Sequence, residues 1–208
     1  MADPPAFGMS EGGSTLRLVI GISGSTGSIY GVRLLEVLQN APDIETHLVV
    51  SDAAKQNIEY ETNWKMDDVL AMATKVYDNR DLGAAISSGS FLTDGMIVAP
   101  CSIKSLSGIA NSFNDALLTR AADVTLKERR KLVLIVRETP FHRGHLKLML
   151  EVTENGGVIM PPVPSFYSLP KSIDDIVNQT VQRALDHFHI ERGLFARWTG
   201  QELVHHGA

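Results

Sequence analysis

The sequence is short of cysteine, having only Cys101 among its 208 residues. An intramolecular disulfide framework and a metal site built from paired cysteines are therefore excluded, and a lone thiol is typical of a reducing compartment. No apolar run approaches the length of a membrane-spanning helix. Residues 1–15 contain prolines and glycines but no apolar stretch of the kind found in signal peptides. We therefore expect a flexible N-terminal tail over residues 1–15 and a cytoplasmic protein.

Basic residues and metal-binding motifs are also scarce. Lysine and arginine total 19 against 24 acidic residues, which gives a net charge of −5. Proteins that bind nucleic acid normally carry a basic surplus, so that class is disfavoured. The histidines have no zinc-ligand spacing, and neither a G-x-S-x-G motif nor a cysteine–histidine arrangement points to nucleophilic catalysis. We therefore expect neither a metal nor hydrolase chemistry.

The most informative stretch combines a strand, a glycine-rich loop and a helix. The apolar run at residues 16–22 leads into Ser23-Gly24-Ser25-Thr26-Gly27, and apolar residues then recur at helical spacing. A helix that begins at such a loop directs free N–H groups and its positive dipole end at a ligand, which favours phosphate. The glycine spacing is not G-x-G-x-x-G, so the loop indicates a phosphate or a nucleotide without specifying NAD. A glycine-rich turn without any ligand is the alternative.

Strands and helices alternate along the rest of the chain. Further strands are predicted at residues 45–50, 96–99, 131–136 and 158–160. Helices are predicted at residues 53–62, 67–74, 114–126, 145–154 and 173–188, and 77–93 shows no regular pattern. This alternation is typical of a three-layer α/β domain, Rossmann-like or flavodoxin-like, with a parallel sheet. We expect that domain to cover residues 16–190, and residues 191–208 to form a C-terminal tail that docks through Trp198 on a neighbouring subunit.

Polar side chains follow several predicted strands at their carboxyl ends. They occur at residues 23–28, 51–52, 102–105 and 137–138. Ligands of parallel sheets bind beyond those ends, so the clusters are expected to line one pocket. Arg137 is suited to bidentate contact with phosphate or carbonyl oxygens, although a surface ion pair with Glu138 is the alternative. Ser102 taken alone is equally well explained as a helix N-cap.

Five blocks of the sequence together resemble the flavin prenyltransferases of the UbiX type, a branch of the flavin-binding cysteine-decarboxylase-like superfamily. They lie in order between about Leu16 and Trp198, at residues 21–31, 99–102, 120–130, 137–140 and 164–167. The resemblance implies an enzyme that joins a dimethylallyl group from dimethylallyl phosphate to N5 and C6 of reduced FMN without a metal. It also implies a homododecamer with sites between subunits, which supplies prenylated FMN to a UbiD-type decarboxylase.

The resemblance also implies roles for individual residues. FMN would be held by Gly24, Ser25, Thr26, Ser51, Ser102, Ile103, Lys104, Ser105 and Arg137. The prenyl phosphate would contact Ser90, Arg120, Lys127, Tyr167, Arg183 and Trp198. The catalytic groups would be Glu61, Glu138, Thr26 and Lys127. Many family members have serine where this chain has Thr26, and the hydroxyl is retained.

The chemistry of prenyl transfer agrees with these roles. Breaking an allylic C–O bond builds positive charge on the prenyl group and leaves a phosphate anion. Cations such as Lys127 and Arg183 suit the phosphate, while the ring of Trp198 suits the carbocation.

Two other functions fit the same superfamily. An FMN-dependent decarboxylase of cysteine-type substrates would rely on a histidine after the second strand, where residues 53–62 contain none but include Glu61. A non-catalytic flavin-binding subunit of a decarboxylase complex is the second alternative. An NAD dehydrogenase is a weaker third, because Asp52 could hold a ribose but the glycine spacing is wrong.

Overall fold

The structure is a computed structural model that describes residues 15–200. Six parallel strands form its centre: β1 (Leu16–Ile22), β2 (Ile44–Val50), β3 (Lys75–Tyr77), β4 (Gly95–Cys101), β5 (Lys131–Val136) and β6 (Val158–Ile159). The strand order is β3-β2-β1-β4-β5-β6, which is the order found in Rossmann folds. The predicted α/β class with a parallel sheet is confirmed.

Seven α-helices cover the two faces of this sheet in the described part of the chain. They are α1 (Ser28–Leu38), α2 (Asp52–Glu61), α3 (Met66–Ala71), α4 (Ile103–Ala110), α5 (Leu117–Lys127), α6 (Arg143–Glu154) and α7 (Ile173–Asp186). Helices α1, α2, α3 and α7 pack on one face, and α4, α5 and α6 pack on the other. None of the helices within residues 15–200 is both long and apolar enough to cross a bilayer.

The central strands are apolar on both faces because helices cover both. In β1, Leu18 and Ile20 pack against the layer of α1 and α7, while Val19 between them packs against the layer of α4 and α5. Successive side chains of a strand point to opposite faces, so a strand covered on both sides carries a continuous apolar run. This explains why the sequence predicted β1 and β5 so closely.

Successive strands are added to the sheet first on one side of β1 and then on the other, so the strand order switches between β1 and β4. The chain runs outward from β1 through β2 to β3, and then returns to place β4 on the other side of β1. Ser23 links the two strand ends, because its Oγ donates to the carbonyl oxygen of Pro100 at 2.9 Å and accepts from the N–H of Ser102 at 2.7 Å. Such a switch point is where open α/β sheets bind ligands.

The largest differences from the predicted elements concern β3, α3 and α5. Strand β3 was not predicted, and α3 ends at Ala71 instead of residue 74. The N–H and Oγ1 of Thr74 pair with Thr46 in β2, which draws the chain alongside β2. Helix α5 begins at Leu117 instead of residue 114, because Asn79 accepts the N–H groups of Leu117 and Leu118 at 2.8 and 3.0 Å.

Both predicted tails extend outside the described residues, the first over residues 1–14 and the second over residues 201–208. Residues 191–200, the described part of the second tail, contain no helix or strand. This segment is tied to its own chain, because the Arg197 guanidinium forms ion pairs with Asp186 and Glu191.

Candidate functional site

A cavity of about 900 Å³ lies at the carboxyl ends of the strands. Its volume falls within the range of small-molecule sites, which is roughly 300–1,000 Å³. Of the residues predicted to hold FMN, it brings together Gly24, Ser51, Ser102, Lys104 and Ser105. The apolar part of its lining includes Phe113, Leu118 and Gly108.

Two helices begin at this cavity with a serine cap. The Oγ of Ser51 accepts the N–H of Ala54 at the start of α2, and the Oγ of Ser102 accepts the N–H of Ser105 at the start of α4, both at 3.2 Å. The remaining first-turn N–H groups have no acceptor within their own helix. Both predicted loops therefore present hydrogen-bond donors to the cavity.

The two helix ends differ in charge. The first turn of α2 contains Asp52, whose carboxylate already pairs with Lys55 at 3.1 Å and with Arg80 at 2.8 Å. The first turn of α4 has no acidic residue and carries the exposed side chain of Lys104. Because a helix dipole favours an anion at its N-terminus, α4 is the better position for a phosphate.

The loop after β1 is held by a carboxylate from the same chain. Gly27 has a φ of 95°, a left-handed conformation that favours glycine, and because glycine has no side chain it cannot cap α1. Glu61, at the end of α2, accepts the N–H groups of Gly27 and Ser28 at 2.7 and 3.1 Å. The N-terminus of α1, which the sequence predicted to hold a phosphate, therefore gives these two donors to Glu61.

Arg137 and Glu138 follow β5 at the same edge of the sheet. The N–H of Arg137 donates to the carbonyl oxygen of Cys101 at 3.1 Å, which places Arg137 beside the end of β4. Burial raises the pKa of the Tyr30 hydroxyl on α1, and the nearby Arg137 guanidinium opposes that rise. The Glu138 carboxylate accepts the N–H of Thr139 at 2.9 Å. Thr26, Ser102 and Arg137 thus lie in loops that follow three adjacent strands, β1, β4 and β5.

The residues of this edge fit FMN. Within the described residues, the Oγ of Ser25 is buried and has no hydrogen-bond partner, and it belongs to the loop that includes Gly24. Buried polar atoms are normally satisfied, so this hydroxyl is suited to a polar ligand. Hydroxyls and a helix N-terminus suit the phosphate and ribityl groups, while the apolar lining suits a ring system.

A second group of predicted residues, Ser90, Arg120 and Lys127, does not line the cavity and lies on α5 and in the segment before β4. Lys127 forms an ion pair with Glu128, which lowers the pKa of that carboxyl. The Nε of Arg120 donates to the carbonyl oxygen of Ser87 at 3.2 Å, and the Oγ of Ser90 lies 2.9 Å from that of Ser88.

A third group lies elsewhere. Tyr167 and Trp198 are exposed and meet edge to face with ring centroids 5.8 Å apart. Arg183 belongs to α7 and pairs with Asp186 at 3.1 Å. Helices α5 and α7 pack on opposite faces of the sheet, so Lys127 and Arg183 belong to different helix layers of one chain.

The cavity also contains residues that the sequence did not indicate. They are Ala53, Asn79, Ser107, Gly108, Asn111, Phe113, Asp115, Ala116, Leu118 and Thr119. Asn79 was missed because it follows the unpredicted strand β3. The polar turn around residues 111–115 could have pointed to part of this lining, but such turns are common on protein surfaces and are a weak indication of a site.

Comparison with known proteins places this geometry among flavoproteins. The family model described as Flavoprotein matches residues 9–185. The chain is 61% identical over 186 residues to the flavin prenyltransferase UbiX of Escherichia coli K12, a match that covers 88% of this chain and 98% of that protein.

Solved structures give the same result. AnUbiX (PadA1), in complex with FMN and dimethylallyl pyrophosphate, is 49% identical with a TM-score of 0.88, and the match covers 90% of this chain and 99% of that one. The dodecameric FMN-dependent Ubix-like decarboxylase of Escherichia coli O157:H7 is also 49% identical, with a TM-score of 0.87, over 89% of this chain and 100% of that one.

Proposed function

This chain belongs to the flavoprotein family and, within it, to the flavin prenyltransferases, and from that premise we propose the reaction and the residues that perform it. The enzyme joins a dimethylallyl group from dimethylallyl phosphate to N5 and C6 of reduced FMN. The observation that carries this proposal is the cavity at the β1–β4 switch point, which is lined by five of the nine residues predicted to hold FMN, namely Gly24, Ser51, Ser102, Lys104 and Ser105.

The flavin is held by groups at the strand ends. The N-terminus of α4, with Ser102, Lys104 and Ser105, binds the phosphate of FMN because it combines free N–H groups with a cation and has no acidic residue in its first turn. Arg137 donates to flavin oxygens, and Ser25 and Thr26 supply hydroxyls. When bound, reduced FMN supplies the two atoms, N5 and C6, that take up the prenyl group.

The carboxylates beside the flavin handle protons. Joining one dimethylallyl group to both N5 and C6 would release a proton from each of these atoms and would require one proton for the allyl double bond, so the site needs groups that accept and donate protons there. Glu61 is fixed by two N–H donors at the start of α1, and Glu138 is fixed by the N–H of Thr139. Glu61 thereby contacts the loop after β1, and Glu138 follows β5, which supports a role at this edge of the sheet.

The phosphate of the donor is held by cations. Lys127, Arg120 and Arg183 stabilise the leaving phosphate, with Ser90 and Tyr167 as hydrogen-bond donors. Trp198 covers the positive charge that develops on the allyl group.

These phosphate ligands come from more than one copy of the chain. Lys127 and Arg183 belong to helix layers on opposite faces of the sheet, and neighbouring subunits would bring both cations to a single phosphate. We propose that the protein assembles as a homododecamer, like the related Escherichia coli O157:H7 protein. The tail that contains Trp198 then docks on a neighbouring subunit.

The product of the reaction, prenylated FMN, is the cofactor of a second enzyme. Prenylated FMN serves a UbiD-type decarboxylase, and we propose that both proteins act in the cytoplasm. The superfamily alternative, a cysteine-type decarboxylase, is less well supported, because Glu61 occupies the region where that reaction relies on a histidine. The second alternative, a non-catalytic flavin-binding subunit, predicts that the flavin mass stays unchanged in the experiment below.

Anaerobic incubation with reduced FMN and dimethylallyl phosphate tests the proposal. Mass spectrometry of the released flavin is expected to show an increase of one C5 prenyl unit, and no increase when the phosphate donor is omitted. An unchanged flavin mass with the complete mixture would overturn the assignment as a prenyltransferase and favour the non-catalytic flavin-binding subunit.

A further inference from the structure

Arg130 binds the short segment that contains Ser90. Its guanidinium donates to the carbonyl oxygens of Gly89 and Phe91 at 2.6 and 2.9 Å, and to the Oγ1 of Thr93 at 3.4 Å. The planar fork of an arginine can hold several acceptors in fixed positions, which a lysine cannot. We call residues 89–94 the anchored segment.

The other side of the anchored segment is held by β1 and β2. The N–H of Asp94 donates to the carbonyl oxygen of Arg17 at 2.9 Å, and the N–H of Arg17 donates to the Asp94 carboxylate at 2.7 Å. The ring of Phe91 meets that of His47 at 5.2 Å, and the Arg17 guanidinium lies 5.2 Å from the Phe91 ring. The anchored segment therefore lies between Arg130, which binds Gly89, Phe91 and Thr93, and the strands β1 and β2, which contact Phe91 and Asp94.

The backbone at the end of α5 fixes Arg130 relative to Lys127. The N–H of Arg130 donates to the carbonyl oxygen of Thr125 at 2.9 Å, that of Arg129 donates to Leu126 at 2.9 Å, and Arg129 has a φ of 58°. This pattern is a Schellman motif, which ends the helix in a defined geometry.

Lys127 lies against the same segment. A Cβ placed on Gly89 would lie 2.8 Å from the Nζ of Lys127 and would overlap the carboxylate of Glu128. Ser90 follows directly and is exposed. Arg130 therefore holds the main chain at Gly89, which lies against the ammonium of Lys127 and directly precedes Ser90.

We propose that Arg130 is a positioning residue for the donor phosphate, through the three hydrogen bonds that hold the anchored segment beside Lys127. This inference rests on the proposed function. Without Arg130, Ser90 and Lys127 no longer share one fixed geometry, and the phosphate loses contacts that do not involve the flavin.

Steady-state kinetics of Arg130→Gln, compared with Arg129→Gln, test the inference. Arg129 is the neighbouring arginine and is exposed. Arg130→Gln is expected to raise KM for dimethylallyl phosphate about tenfold, with kcat within about threefold and the Kd for FMN within about twofold of the parent. Arg129→Gln is expected to leave all three values within about twofold of the parent. A purely structural role would lower kcat through loss of active enzyme and leave KM unchanged.

Arg130→Lys keeps the inference testable if Arg130→Gln does not fold. It retains the charge but replaces the fork by one donor group, so KM is expected to rise about threefold. A KM for dimethylallyl phosphate within twofold of the parent in the folded variants overturns the inference alone. A parent chain that forms no prenylated flavin overturns the proposed function, and this inference with it.

Discussion

The two halves of the site are built differently. The flavin half, which consists of the loops after β1, β2, β4 and β5, uses strand ends and helix N-termini of one chain. The proposed prenyl half consists of Arg120 and Lys127 on α5, Ser90 in the segment before β4, and Tyr167, Arg183 and Trp198 elsewhere, and its cations are divided between the helix layers on the two faces of the sheet. The topology of a parallel sheet brings the first group to one edge by itself, whereas we propose that assembly brings the second group together.

The halves also differ in how their charges are satisfied. In the prenyl half each cation has a carboxylate of its own chain nearby: Lys127 pairs with Glu128, Arg120 with Asp123, and Arg183 with Asp186. Exposed pairs of this kind contribute little to stability, so a phosphate can replace the carboxylates at low cost. In the flavin half, the donors of α4 are oriented by the backbone before any ligand binds.

The largest expected effect is the loss of Lys127 from the prenyl half. A charge-assisted hydrogen bond to phosphate contributes about 1.5–3 kcal/mol, so Lys127→Gln should lower kcat/KM by about 10- to 100-fold. The Kd for FMN should not change, because Lys127 lies outside the flavin half. Lys65→Gln, which removes an exposed lysine before α3, is the matched control. An equal loss of FMN affinity in Lys127→Gln would contradict the separation of the halves.

A smaller effect is expected from serine caps inside and outside the flavin half. Ser102 caps α4 and Ser172 caps α7, each by accepting an N–H at 3.2 Å. Replacing either by alanine should lower the free energy of unfolding without flavin by about 1 kcal/mol. Only Ser102→Ala should also weaken FMN binding, by about fivefold, since it removes a ligand of the phosphate. Denaturant unfolding and flavin titration measure the two effects, and equal FMN affinities in both variants would count against the phosphate position.

The smallest effect is the pH dependence of stability that we expect from His47, which contacts Phe91 of the anchored segment. Burial lowers the pKa of His47, the Glu45 carboxylate opposes that change, and the charges of Arg17 and Lys75 reinforce it. The unfolded histidine, with its ordinary pKa near about 6.5, binds a proton first as the pH falls. The free energy of unfolding should therefore fall below that pH, by at most about 1.4 kcal/mol per pH unit for one group.

Urea unfolding at several pH values above about 5.5 measures this dependence in the parent and in His47→Gln. His187, whose pKa is also lowered by burial, stays in both proteins and contributes equally. The parent is expected to lose more stability toward acid than His47→Gln. Identical pH dependence would show that His47 is not the group involved.

The sequence predicted the flavin half better than the prenyl half for a physical reason. Buried parallel strands appear as continuous apolar runs, and their carboxyl ends necessarily share one edge, so Ser51, Ser102 and Arg137 could be grouped from their positions alone. Strand β3 was missed because it has three residues and depends on Thr74 pairing with Thr46.

Contacts between residues that are far apart in the sequence could not be predicted from the sequence. Glu61 holds the N–H of Gly27 across 34 positions, and no local pattern indicates that pairing. The start of α5 depends on Asn79 in the same way. The association of Lys127 with Arg183 came only from the resemblance, because no periodicity relates residues on opposite faces of the sheet.

Co-expression of Lys127→Gln and Arg183→Gln chains tests most directly that the prenyl half is completed between subunits. If each phosphate is held by Lys127 of one copy and Arg183 of another, about a quarter of the sites in randomly mixed assemblies contain both cations. Prenylated FMN should then form at about a quarter of the parent rate, well above either variant alone. A rate no higher than the average of the two separate variants would contradict the account.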